Sequence, residues 1–147
     1  MSLIYERPDL ETITVADLMI PSEKVAHVQI NNPLEHALLV LVKSGYSAVP
    51  VLDGQYKLVG TISKTMILNE TLGLERFEVE QLSNRTVGEI MKKDIQRLKK
   101  EDSMIDGLKA VINVPFVCIA DEQGFFDGIL TRRAVLKQIK RDYYKNK

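Results

Sequence analysis

One cysteine, no tryptophan and only five prolines narrow what this 147-residue chain can do. The lone Cys118 excludes an intramolecular disulfide and a cysteine-rich zinc site. Long apolar runs are missing too. The longest, Ala37 to Val42, is six residues, against the ~20 that a membrane-spanning helix needs. The opening MSLIYERPDL holds Glu6 and Asp9 and no apolar core, so no secretory signal is read there. Charge of one sign is also lacking. Twenty basic and twenty acidic side chains cancel, and no overall field draws the chain to DNA or to a membrane. A composition of 45% hydrophobic and 27% charged residues is globular. The expectation is a cytoplasmic protein of one compact domain or two small fused modules.

Neutrality hides an asymmetry. Seven basic residues (Arg132, Arg133, Lys137, Lys140, Arg141, Lys145, Lys147) and one acid, Asp142, lie from Thr131 to Lys147, a local balance of +6. The other 13 basic and 19 acidic residues give −6. Such a tail is either a solvated helix face or an attractor of phosphate.

The strongest signal is an internal repeat. Thr14-Val15-Ala16-Asp17-Leu18-Met19 returns as Thr86-Val87-Gly88-Glu89-Ile90-Met91. Asn32-Pro33-Leu34 matches Asp102-Ser103-Met104, Val51-Leu52-Asp53 matches Ile119-Ala120-Asp121, and Gly60-Thr61-Ile62-Ser63 matches Gly128-Ile129-Leu130-Thr131. The reading is a first repeat over 14–73, a connector over 74–85 and a second repeat over 86–145. Units of ~60 residues bury too little surface alone, so the two should pack together.

Each copy predicts the same order of elements. Thr14 or Thr86 N-caps a short helix, with the acid three residues on completing a capping box. A strand follows, Lys24 to Val28 or Ile95 to Leu98. Asn32 caps the next helix and Pro33 is its first residue, with Leu34, Ala37, Leu38 and Leu41 on one face. Two strands come next, Ser47 to Leu52 and Lys57 to Ile62, joined by an Asp53-Gly54 hairpin turn. Ser63 and Thr131 cap the closing helices, Lys64 to Leu72 and Arg132 to about Lys145. The fold class is α+β. Within the connector, Leu74, Phe77 and Leu82 are expected to pack.

This pattern resembles a tandem pair of cystathionine β-synthase (CBS) domains, a Bateman module. It is carried by the two Thr-Val-x-[Asp/Glu]-[Leu/Ile]-Met openings, the Ala48-Val49-Pro50-Val51-Leu52-Asp53 strand and the two Gly-x-[Ile/Leu]-[Ser/Thr] ends, from about Thr14 to Lys140. The resemblance implies two repeats packed sheet to sheet about a pseudo-twofold axis, with two clefts that hold adenine nucleotides. It also implies that one cleft joins Lys24, Ala26, Tyr46, Ser47 and Ala48 to Thr131, Arg132 and Arg133. The second would join the region from Asn113 to Phe116 with Ser63, Lys64 and Thr65. No catalytic domain is attached, so the chain reads as a stand-alone pair.

The first cleft looks better equipped. A helix N-terminus offers unpaired N–H groups to an anion, Arg132 and Arg133 add planar forks for phosphate, and Lys24 a further charge. Tyr46 can stack on a purine, and Ala26 and Ala48 are small enough to let its ring reach backbone groups. The second cleft has only Lys64 for phosphate, and Pro115 removes a donor. CBS modules that bind AMP or ATP carry an aspartate three residues after the Ser or Thr, to clamp the ribose diol; here those positions are Met66 and Ala134. A 3′,5′-cyclic dinucleotide has no free diol to clamp. Lys24 to Val28, Leu34 to Leu41 and Thr131 to Arg133 resemble the small bacterial CBS-pair receptors of cyclic di-AMP.

Three function classes follow. The first is a non-catalytic receptor for cyclic di-AMP that regulates a partner enzyme as a homodimer, with AMP or ATP the alternative ligand and no cofactor. The second is a dimerisation scaffold with vestigial clefts. The third, an enzyme, lacks a nucleophile–base pair, paired carboxylates or metal-ligand spacing. Bland readings stand beside each residue: Tyr46 covering a helix end, the arginines as surface charge, Cys118, Met19 and Met91 as packing, and His27 and His36 as structural or solvated.

Overall fold

The computed structural model describes residues 12–72 and 80–145. The opening decapeptide, and Leu74 and Phe77 of the connector, lie outside the described residues. The elements are α1 (Val15–Leu18), β1 (Ile20–Pro21), β2 (Val28–Gln29), α2 (Leu34–Ser44), β3 (Ala48–Leu52), β4 (Leu58–Ser63), α3 (Lys64–Thr71), α4 (Glu80–Asn84), α5 (Val87–Ile90), β5 (Arg97–Leu98), α6 (Met104–Ala110), β6 (Phe116–Ala120), β7 (Phe126–Thr131) and α7 (Arg132–Lys145). They form two compact units. A continuous one runs from Ala26 to Ile95, and a discontinuous one joins the chain up to Val25 with Gln96 onward.

In the continuous unit, β2 runs parallel to β3 and β4 antiparallel to it, in the order β2-β3-β4. Leu34, Ala37 and Leu41 of α2 are fully buried with Val49, Val51, Ile62 and Ile67, and Leu38 packs against that core. Leu82 of the connector, Val87 of α5 and Met91 just after it complete it. The discontinuous unit repeats the plan in the order β1-β7-β6-β5, with β5 parallel to β6. Val15 and Met104 are buried there with Val117, Ile119 and Leu130. Full burial of each such aliphatic side chain contributes about 1.5–3 kcal/mol.

The opening helix of each sequence repeat therefore belongs to the sheet of the other. Pro33 bridges Thr86 in one unit, and Thr14 bridges Ser103 in the other. These bridges change how the helices are capped. Asn32 does not cap α2; its Oδ1 accepts the Gln29 N–H at 2.8 Å. Pro33 stands at the N-cap instead, and the Leu34 N–H donates to the Arg85 carbonyl at 2.9 Å. At α6 a side chain does cap, Ser103 Oγ accepting from the Asp106 N–H at 3.3 Å. At α1 the Asp17 carboxylate accepts from both the N–H and the hydroxyl of Thr14, the reach-back half of the expected capping box.

The strand expected over Lys24 to Val28 is shorter. Ser22–Lys24 is a 3-10 turn closed by the Val25 N–H on the Ser22 carbonyl, and ladder pairing is confined to Val28 and Gln29. Pro21 has no N–H to extend β1 into that segment. The strand expected over Ile95 to Leu98 is likewise only Arg97–Leu98.

The hairpin is present, but Gly54 is not its conformational pivot. Asp53 Oδ1 accepts from the N–H groups of Gln55 and Lys57, and Tyr56 turns the chain with φ +69°. The matching turn uses Asp121 in the same way and places Gly124 at φ +95°. A side chain in that left-handed region costs about 1 kcal/mol or more.

Candidate functional site

The end of β7 and the start of α7 form one continuous corner. Thr131 is the last strand residue, and its Oγ1 accepts the Ala134 N–H at 3.0 Å. Ser63 caps α3 in the same manner, accepting from Met66 N–H at 3.1 Å. Both expected caps are therefore in place.

Two arginines open α7, and they are differently employed. The Arg132 N–H donates to the Pro115 carbonyl at 2.8 Å. Its guanidinium donates from Nε to the Val111 carbonyl at 2.9 Å and from a terminal nitrogen to that of Ile112 at 3.5 Å. Arg132 thus ties the 111–115 loop to the helix, a role the sequence did not announce. Among the described residues the Arg133 guanidinium has no such anchor, and it faces an open groove. Pro115, Thr131, Arg132, Arg133, Leu136, Lys137 and Lys140 line that groove, whose volume is about 570 Å³, within the ~300–1,000 Å³ usual for small-molecule sites.

The electrostatics of this corner suit an anion. No acid occupies the first turn of α7, so two guanidinium charges sit at the positive end of the helix dipole. Unliganded, that placement is unfavourable. Arg133, Lys137 and Lys140 follow the i, i+4, i+7 spacing and extend the positive surface along one face. Lys137 and Lys140 belong to the basic tail in sequence, and their helical spacing from Arg133 joins them to the groove.

Thr131, Arg132 and Arg133 are thus brought together. Lys24, in the same unit, is not among the groove residues. It ends the 3-10 turn that follows Pro21, which pairs with Gly128 rather than with the Thr131 end of β7. In the continuous unit Ala48 begins β3 opposite Ser63, and the Ser47 carbonyl accepts the Lys64 N–H at 3.1 Å. Tyr46 is partly exposed, and its N–H donates to Ser44 Oγ at 3.2 Å, against the end of α2. Ala26 lies two residues before β2 and packs at the edge of the core.

Other chemistry finds little support. Cys118 is buried in β6, and burial pushes its thiol up to about 12, which makes it a packing residue and a poor nucleophile. No group of three or more metal-ligating side chains exists among the described residues. A second recess, of about 420 Å³, is lined by Lys99, Lys100, Glu101, Asp121, Glu122, Gln123 and Asp127; its interleaved charges offer no net attraction for an anion. No helix among the described residues is long and apolar enough to cross a membrane.

The repeated sheet-and-helix units are those of CBS domains. The CBS-domain family model matches residues 15–73 and 87–141, and the chain belongs to that family. It is 52% identical over 128 residues, 87% of each chain, to cyclic di-AMP receptor B of Bacillus subtilis. It superposes on a CBS domain-containing protein of Bacillus anthracis with a TM-score of 0.84 at 60% identity, over 90% of this chain and 96% of that one. The crystal structure of Listeria monocytogenes CbpB in complex with cyclic di-AMP gives a TM-score of 0.82 at 47% identity, over 90% of this chain and 98% of that one.

Proposed function

We propose that this chain is a non-catalytic receptor for cyclic di-AMP, and that its ligand state governs a partner enzyme in the cytoplasm. The observation that carries the reading is the α7 corner: Thr131, Arg132 and Arg133 open a cationic groove, while Ala134 stands where a ribose-clamping carboxylate would be. Two phosphodiesters at about −1 each match two guanidiniums and the adjoining lysines. In this reading Lys24, Ala26, Tyr46, Ser47 and Ala48 contribute to the same ligand, Tyr46 by stacking and the alanines by admitting the adenine to backbone groups. The relatives support the choice of ligand, one named a cyclic di-AMP receptor and another crystallised with that nucleotide. The single, buried, unpaired thiol suits a reducing compartment.

A ligand that binds only the native state must raise its melting temperature. In a thermal-shift panel, cyclic di-AMP is expected to stabilise the chain more than cyclic di-GMP, AMP or ATP at equal concentration. Greater stabilisation by AMP or ATP would make this an ordinary adenylate sensor. No response to any of the four would leave a scaffold with vestigial clefts.

A homodimer is part of the proposal. Val42 in the last turn of α2 and Ile112 just after α6 occupy matching sequence positions, and both are more than 60% exposed. Leu68 and Leu136 match in the same way on α3 and α7 and are also exposed. Large aliphatic residues exposed at equivalent places in each unit are sites that a second copy can cover. Sedimentation should give a dimer for the native chain and a monomer for the Val42→Glu/Leu68→Glu variant, which leaves the groove untouched. A native monomer, or a variant of unchanged mass, contradicts it.

A further inference from the structure

We propose that Tyr56 is a positioning residue for the ligand site, holding residues 26–29 in place through its ring contact with His27. The proposal rests on the receptor reading and extends it to a residue that is not itself among the proposed ligand contacts. Tyr56 occupies the left-handed position of the β3–β4 turn, φ +69°, where the twin turn uses Gly124. A side chain kept where glycine serves equally well in the same fold has to be over-determined by something nearby. The neighbour is His27: the ring centroids lie 5.7 Å apart at an interplanar angle of 82°, an edge-to-face pair.

The placement matters because β2 is so short. Only Val28 and Gln29 pair with β3, the Gln29 N–H donates to Asn32 Oδ1, and the Ile30 N–H donates to the Leu52 carbonyl at 2.9 Å. His27 stands between that two-residue ladder and Ala26. A ring seated on it from the hairpin tip braces the segment at the end that leads to Ala26. The sheet registers make Arg97 the counterpart of His27 and Gly124 that of Tyr56, so the discontinuous unit has no such ring pair. The device is confined to the unit that contributes Ala26 and Tyr46.

The test uses the full chain, with Tyr56→Gly and Tyr56→Phe. Glycine fits the backbone, so the melting temperature of Tyr56→Gly should stay at or above that of the native chain. In ligand-free protein its amide hydrogen exchange over residues 26–30 should quicken at least tenfold, with residues 96–100 unchanged. Its affinity for cyclic di-AMP, by calorimetry, should fall at least fivefold. Tyr56→Phe, which keeps the ring, should exchange and bind like the native chain. Unchanged exchange in Tyr56→Gly overturns the proposal, as does faster exchange with unaltered affinity. If the native chain itself fails to bind cyclic di-AMP, the receptor reading falls, and the claim that Tyr56 sets a ligand site falls with it. The exchange arm then still decides separately whether Tyr56 orders the segment.

Discussion

Replacing Arg133 by alanine is expected to weaken cyclic di-AMP binding by about 10- to 100-fold while leaving the melting temperature of the free protein unchanged. The two halves of this expectation have separate causes. A charge-assisted hydrogen bond to phosphate contributes about 1.5–3 kcal/mol, and each 1.4 kcal/mol is a factor of ten in affinity. The Arg133 side chain lines the groove without anchoring backbone, so its loss leaves no buried polar group unsatisfied. Arg132→Ala should behave differently. It too should lose affinity, but it also removes the donors to the Val111 and Ile112 carbonyls, and the free protein should melt several degrees lower. Titration calorimetry and thermal melts on the two variants separate these roles. Undiminished affinity in both would remove the α7 corner from the site.

Gly128→Ala should destabilise the fold by about 3 kcal/mol or more, because it forces apart two backbones. A Cβ at Gly128 would overlap the Ile20 carbonyl oxygen, and neither atom lies on a flexible side chain. The cost extends beyond the clash. Detaching β1 from β7 breaks the Ile20–Ile129 and Pro21–Gly128 pairing and loosens the docking of α1, whose Val15 is buried in the same core. The twin position behaves alike: a Cβ at Gly60 would lie 2.5 Å from the Lys92 carbonyl oxygen. Gly54→Ala is the control, since nothing lies within 4 Å of its Cβ, and it should stay within ~0.5 kcal/mol of the native chain. Denaturant melts of the three variants test this; a Gly128→Ala midpoint equal to that of Gly54→Ala would contradict the account of the β1–β7 contact.

These glycines show where the sequence was legible and where it was not. Duplication was plain, because the Thr-Val-x-[Asp/Glu]-[Leu/Ile]-Met and Gly-x-[Ile/Leu]-[Ser/Thr] strings recur in order. Local chemistry was plain as well: Ser63 and Thr131 cap their helices, and Leu34, Ala37 and Leu41 face the core. What the pattern concealed is that each opening helix docks on the other repeat's sheet. That pairing is long-range, and its only local trace is a glycine inside a strand, which signals close backbone approach but not the partner. The Asn32 cap failed for the same reason, since the Arg85 carbonyl, far along the chain, takes the Leu34 N–H.

The site was legible in its charges but not in their employment. Thr131, Arg132 and Arg133, which line the groove together, stand in one tripeptide. Nothing local distinguished the arginine that braces the 111–115 loop from the one that faces the groove, because the bracing carbonyls lie about 20 residues upstream. Tyr56 escaped notice because Asp53-Gly54 drew the turn to the wrong residue. The left-handed position falls two residues later, at a tyrosine.

The most direct test of the central claim is a calorimetric titration of the purified chain with cyclic di-AMP, run beside AMP under the same conditions. Saturable binding is predicted for cyclic di-AMP, tighter than for AMP, because the groove supplies cations for two phosphodiesters and Ala134 supplies no clamp for a ribose diol. A flat cyclic di-AMP isotherm, or tighter binding of AMP, would contradict the claim.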